Sequence, residues 1–215
     1  MQEGLVFDLR HTAKRFILSE LRSYDAYNRA DEAVIKAINA ADASQMDRED
    51  SVMSWLNRYR VLRYFPKDKS RSIADVIIKF ADKRRQAATP LSQDLVISEF
   101  ESLRGGIRRV APHTRAGVPR EVMSLTSKAL WCCYPDCVPI YDDHARRALQ
   151  VIGRLCGMTP RRNESEYACF ADIWFQVYAE VEQVIDNADL DGYPYKVRVL
   201  DRLLWYLGQP SFDVP

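Results

Sequence analysis

Glycine is scarce in this chain, with eight in 215 residues, and no 18-residue apolar run exists. The first shortage argues against a loop-rich or sheet-rich fold, and the second against a membrane-spanning helix. The N-terminus lacks a basic stretch followed by an apolar one, so no signal peptide is expected. Glycine-rich phosphate loops, GxSxG, HExxH and paired CxxC motifs are all missing, which removes the commonest nucleotide, hydrolase and zinc signatures. The five cysteines, Cys132, Cys133, Cys137, Cys156 and Cys169, follow no regular metal-ligand spacing. No metal and no cofactor is expected. An odd number of thiols without an export signal points to reduced cysteines and a cytoplasmic location.

What the chain does have is helical periodicity. Apolar residues recur at three- and four-residue spacing over 10–23, 31–41, a third segment capped by Asp47 with Asp50 and running to Phe65, and 73–85. A fifth helix starts near Ser92 and is closed by Gly105-Gly106. A sixth follows Pro119 and Glu121. A seventh runs from Asp143 to Gly157, an eighth starts from an Asn163/Glu166 capping box, and the last starts at Pro194. No alternating strand pattern is long enough to count, so the fold class is all-α. Residues 1–66 read as an N-terminal helical segment and 67–215 as the helical core.

Formal net charge is only +1, but the charges are segregated. Residues 58–128 are rich in Arg and Lys, whereas 164–191 carry eight acids and no base. Such segregation produces either a positive face for phosphate backbones or oppositely charged helix faces packed together. The irregular stretch IRRVAPHTRAGVPR concentrates Arg108, Arg109, His113, Arg115 and Arg120 just before a helix, where phosphates are readily bound. His113 and His11 otherwise read as solvated histidines.

The densest chemistry lies in SLTSKALWCCYPDCVPIYDDHARRAL, residues 124–149. Lys128 sits in a helix that is otherwise apolar, where loss of water disfavours the ammonium and leaves some nucleophilic amine. Pro135 and Pro139 break the chain, and Asp142 or Asp143 then stands at an N-cap. The competing reading is a lysine reaching solvent and an aspartate that only caps a helix.

This segment resembles the active-site segment of the helix-hairpin-helix DNA glycosylase superfamily, which includes 8-oxoguanine glycosylase and endonuclease III. The resemblance implies a multi-helix glycosylase-like fold with Lys128 as the nucleophile and Asp142, in Pro139-Ile140-Tyr141-Asp142, as the catalytic carboxylate. Asp143 is left as the helix cap. It further implies excision of a modified base flipped from double-stranded DNA, with abasic-site lyase activity. Arg108, Arg109, Arg115, Arg120 and His113 would hold DNA, and Trp131, Tyr134 or Tyr141 would line the base pocket if they are not core residues. The position before the lysine, EVMSLTS, lacks the family's hairpin glycines, and no iron–sulfur cysteine pattern is present. The alternative is therefore a DNA-binding or assembly protein that keeps the fold without the chemistry.

Overall fold

The computed structural model describes residues 8–40, 42–63, 65–85, 91–113, 117, 120–161, 165–190 and 192–210. Among these the regular elements are helices, as the periodicity predicted: α1 (Leu9–Ser19), a 3-10 turn (Leu21–Tyr24), α2 (Asp25–Asn39), α3 (Gln45–Arg58), α4 (Lys67–Arg85), α5 (Gln93–Val110), α6 (Met123–Cys133), α7 (Asp143–Cys156), α8 (Glu166–Asp186) and α9 (Lys196–Leu207). No helix of the described residues is long and apolar enough to cross a membrane.

The chain forms two compact units. One comprises 1–25 and 139–215, the other 26–138. This division cuts across the boundary expected at 66/67.

In the unit of 26–138, α4 packs against α3, α5 and α6, and α5 against α6. Ile73, Ile77, Ile78, Phe100, Leu103, Ile107 and Leu130 are fully or almost fully buried there. Gly105-Gly106 does not end α5. The helix continues one more turn because Ile107 is core, and the absence of a Cβ at Gly106 lets the Val76 side chain approach to 3.2 Å of where that atom would lie. α4 starts at Lys67 instead of Ile73, since its first turn is solvated and carries no apolar stripe to read. α2 starts at Asp25, six residues before the expected start, which moves Asp31 from the N-terminal end into its second turn, facing inward.

The unit of 1–25 and 139–215 packs α7 against α9 and α8, and α1 against α8 and α9. Its core is built from Phe16, Tyr167, Trp174, Val177, Leu200 and Leu204. The acidic α8 is matched by bases on its neighbours: Arg10 pairs with Glu180 at 3.2 Å, and Lys196 with Asp186 at 2.8 Å. These two pairs tie α8 to α1 and α9. α9 closes on α7 at Gly208, where a Cβ would stand 1.9 Å from the carbonyl oxygen of His144; only glycine fits that approach.

Several caps differ from those the sequence suggested. Ser44, not Asp47 or Asp50, caps α3: its hydroxyl accepts from Asp47 N and donates to the Asp47 carboxylate. Ser165 caps α8, accepting from Ala168 N; Asn163 lies outside the described residues. α6 begins at Met123 after Glu121 and Val122, and α9 follows Tyr195, one residue beyond Pro194. In each case a serine, or simple backbone continuity, supplies what a more conspicuous residue nearby seemed to offer.

Candidate functional site

α6 is buried over nearly its whole length, from Met123 to Cys132 apart from Ser124. A helix apolar on all sides is a central packing element, so a lysine within it is costly unless its amine is accommodated. Lys128 is 4% exposed. Its Nζ donates to Ser124 Oγ at 2.7 Å, one turn back on the same helix, and lies 6.0 Å from the centre of the Tyr59 ring. Ser127, also buried, donates to the Ser124 carbonyl.

Tyr59 follows directly on α3. Its hydroxyl donates to Asp31 Oδ1 at 2.7 Å, and Trp55 Nε1 donates to the same oxygen at 2.8 Å. The Trp55 ring stacks on Trp131 with centres 6.0 Å apart and planes 11° from parallel. Lys128, Ser124, Tyr59, Asp31, Trp55 and Trp131 thus form one polar–aromatic cluster inside this unit. The sequence signalled Lys128 alone. Nothing local in the sequence distinguishes Asp31, Tyr59 or Trp55 from ordinary helix residues.

Ser124 also lines a cavity of about 390 Å³ together with Phe65, Arg120, Glu121 and Leu125. The Arg120 guanidinium stands 5.6 Å from the centre of the Phe65 ring, a cation–π contact that flattens it on one wall. Glu121 is fixed by Arg104 at 3.1 Å and accepts from Val122 N at 2.8 Å. The amine of Lys128 is therefore one hydroxyl away from an open space with aromatic, cationic and anionic walls.

Asp142 belongs to the other unit. The segment leading to it is pinned residue by residue. Pro139 O accepts from Tyr167 OH at 2.9 Å, and Ile140 N donates to Asp201 Oδ1 at 3.2 Å. Tyr141 OH donates to Glu166, and its ring meets Phe170 edge-on at 5.0 Å. Burial, then the Glu166 hydrogen bond, push the Tyr141 hydroxyl above its usual range. Asp142 is extended (φ −150°, ψ 150°), and its Oδ1 accepts from His144 N at 2.9 Å. Asp142 is thus the N-cap of α7, a correction to the expectation that Asp143 caps it. Asp143 is the first helical residue, with its side chain 79% exposed and 3.8 Å from Arg146. The reason is geometric: only the residue before the first helical turn has the extended backbone that lets its carboxylate reach the orphan N–H.

The other predicted residues are scattered. Trp131 is fully buried against Trp55 and Tyr141 is 7% exposed, so both are core side chains in this structure and not stacking surfaces. Tyr134 is half-buried after α6, its hydroxyl pushed up to about 12 by burial and then by Glu99. Arg108 and Arg109 are exposed on the last turn of α5, where they complement its dipole, and His113 is exposed just beyond. Arg115 lies outside the described residues. Among the described residues no group of three His, Cys, Asp or Glu side chains is placed to hold a metal ion.

The cysteines are free thiols. Burial, with Asp82 and Glu99 adding to it, pushes Cys133 from 9.0 up to about 12, and burial pushes Cys137 up to about 11. A thiol that stays protonated in the folded state but ionises at its ordinary pKa in the unfolded chain makes stability fall with rising pH. The contribution is intact below pH 9.0 and is lost on the way to about 12. Urea denaturation across that window is expected to show a declining midpoint, flattened in Cys133→Ala.

No family model, curated protein or solved structure matches the chain. The functional reading therefore stands on the residues themselves and on the resemblance of the segment around Lys128 and Asp142.

Proposed function

We propose that this protein is a DNA N-glycosylase with abasic-site lyase activity, using Lys128 as its nucleophile. One observation carries the reading: a buried amine, oriented by Ser124, beside a cavity that the same serine lines. A lysine held in that way serves covalent chemistry on a carbon electrophile better than it serves a salt link at the surface.

In this reading the lone pair of Lys128 Nζ attacks C1′ of a flipped nucleotide. The C1′–N bond breaks, its electron pair leaves with the base, and the base is protonated. The nitrogen gives up one proton to the departing base and a second to O4′ as the C1′–O4′ bond breaks, leaving the open-chain Schiff base C1′=N. Removal of a C2′ proton then expels the 3′ phosphate by cleavage of C3′–O. The resemblance assigns the role of catalytic carboxylate to Asp142. Arg120, with Arg108 and Arg109, supplies cations for the flanking phosphates.

A second reading, duplex binding without chemistry, is favoured by one fact: at 4% exposure, Lys128 is nearly closed off. A single experiment decides between them. The protein is incubated with duplexes carrying an abasic site or an oxidised base, borohydride is added, and covalent adducts are separated on a denaturing gel. A reduced adduct is expected. Binding without any adduct would leave the second reading, and absence of both would overturn the two together.

Asp142 separates capping from chemistry. Asp142→Asn keeps an oxygen for His144 N, whereas Asp142→Ala loses it. Both are expected to slow adduct formation by roughly 10²-fold or more. Only the alanine variant is expected to lose stability as well, about 1 kcal/mol by thermal denaturation.

A further inference from the structure

The end of α7 leaves a gap that its own sequence creates. Gly157 takes the left-handed conformation (φ 66°), and the chain turns back so that Met158 N donates to Gly153 O at 2.8 Å. In this kind of helix ending, an apolar side chain at the Met158 position often packs on the residue at the Gly153 position. Glycine offers no side chain for that contact, and the Met158 carbonyl oxygen lies 3.3 Å from where a Cβ would stand. A slot of about 320 Å³ remains between α7 and α8, with Leu149, Gly153, Met158 and Ile173 along it. That size falls in the range of small-molecule sites. Phe170 also borders the slot, but its ring meets Tyr141 edge-on at 5.0 Å and stacks with Tyr167 at 6.2 Å. The lining left for an occupant is aliphatic, with an adaptable thioether at one end, and it suits a flexible chain better than a rigid ring.

The rim is charged. Arg146, Gln150 and Arg154 recur at four-residue spacing, so they form one row on α7 beside the slot. Arg154 Nε donates to Gln150 O at 3.1 Å, and this guanidinium has no ion pair among the described residues, which leaves both of its terminal nitrogens for a ligand. Arg146 has the Asp143 carboxylate only at 3.8 Å. The α8 wall carries a single acid, Glu166, which already accepts from the Tyr141 hydroxyl. Two cations face one acid, so the rim complements a single negative charge and not a double one.

We propose that this slot binds a medium-chain carboxylate: the acyl chain lies along Leu149, Met158 and Ile173, and the carboxylate is held at the rim by Arg154, with Arg146 as the second cation. Burial of the chain supplies affinity, and the guanidinium supplies selectivity for the head. The slot lies wholly within the unit of 1–25 and 139–215 and uses neither Lys128 nor DNA, so it is independent of the glycosylase reading.

The test uses the full chain labelled with ¹³C in the methionine methyl groups, the Met158 signal being identified by its loss in Met158→Leu. Titration with octanoate, below the concentration at which it aggregates, is expected to move the Met158 signal saturably while the other methionine signals stay in place. Octanol keeps the chain without the charge and is expected to bind about 10-fold more weakly. Octyl phosphate is expected to bind no tighter than octanoate. Arg154 is exposed, so Arg154→Gln leaves the fold intact; it is expected to weaken octanoate about 10-fold and to leave octanol unchanged. Arg154→Lys, which retains the charge, is expected to recover part of the loss. A Met158 signal unmoved by octanoate, or one that moves together with those of the other methionines, overturns the inference. So does octanol binding as tightly as octanoate, octyl phosphate binding more tightly, or an Arg154→Gln protein with the octanoate affinity of the wild type.

Discussion

Replacing Lys128 with glutamine is expected to abolish the borohydride-trapped adduct, by on the order of 10³-fold or more. Glutamine preserves most of the side-chain volume, and its amide can still donate to Ser124 Oγ, the partner that Lys128 Nζ holds at 2.7 Å. What it cannot do is form a Schiff base. Stability is not expected to fall with activity. Lys128 is 4% exposed in a helix otherwise buried on almost every face, and glutamine fits that space without adding volume, so any loss of stability is expected to be far smaller than the loss of adduct. Loss of the adduct with an unchanged melting temperature would separate chemistry from folding. A fall in both would make Lys128 a structural residue.

The second large effect is expected at Asp201. This aspartate is 3% exposed and does three jobs on α9: it accepts from Ile140 N, accepts from Trp174 Nε1 at 2.9 Å, and stands 3.9 Å from Arg198, itself 5% exposed. Truncation to alanine leaves two buried donors unsatisfied and a buried guanidinium poorly balanced. The expected cost is about 3–5 kcal/mol, read as a fall of roughly 10 °C or more in the thermal transition. Asp201→Asn keeps the acceptor oxygen for both donors and is expected to recover a large part of the loss. Because Ile140 precedes Asp142 by two residues, any remaining activity of Asp201→Ala should also drop relative to Asp201→Asn. Equal stability of Asp201→Ala and the wild type would mean that Asp201 does not anchor this segment.

Helices were legible because their information is local. The apolar stripes of α4, α8 and α9 and the glycine that ends α7 are readable from spacing alone, and Gly157 indeed takes the left-handed conformation (φ 66°). The site was legible only in part. Lys128 stood out because a charged residue interrupts an apolar run, and Asp142 because prolines bracket its approach. Asp31 and Tyr59 gave no such signal, since an aspartate in a mixed helix and a tyrosine at a helix end are ordinary until distant residues close around them. Trp131 shows the converse: an aromatic beside the lysine in sequence suggested a base pocket, yet three-dimensional packing commits it to Trp55. Caps failed for a related reason. Asp47 and Asn163 were conspicuous, but backbone geometry selected Ser44 and Ser165, whose short hydroxyls reach the free N–H groups.

The central claim, that Lys128 is the amine that attacks the sugar, is tested most directly by mapping the reduced adduct. After borohydride trapping on an abasic-site duplex, nuclease digestion and trypsin, the peptides are sequenced by mass spectrometry. The expected result is a reduced sugar remnant on Lys128, with tryptic cleavage after that residue blocked. A remnant on another lysine or on the terminal amine, or no remnant at all, would contradict the claim.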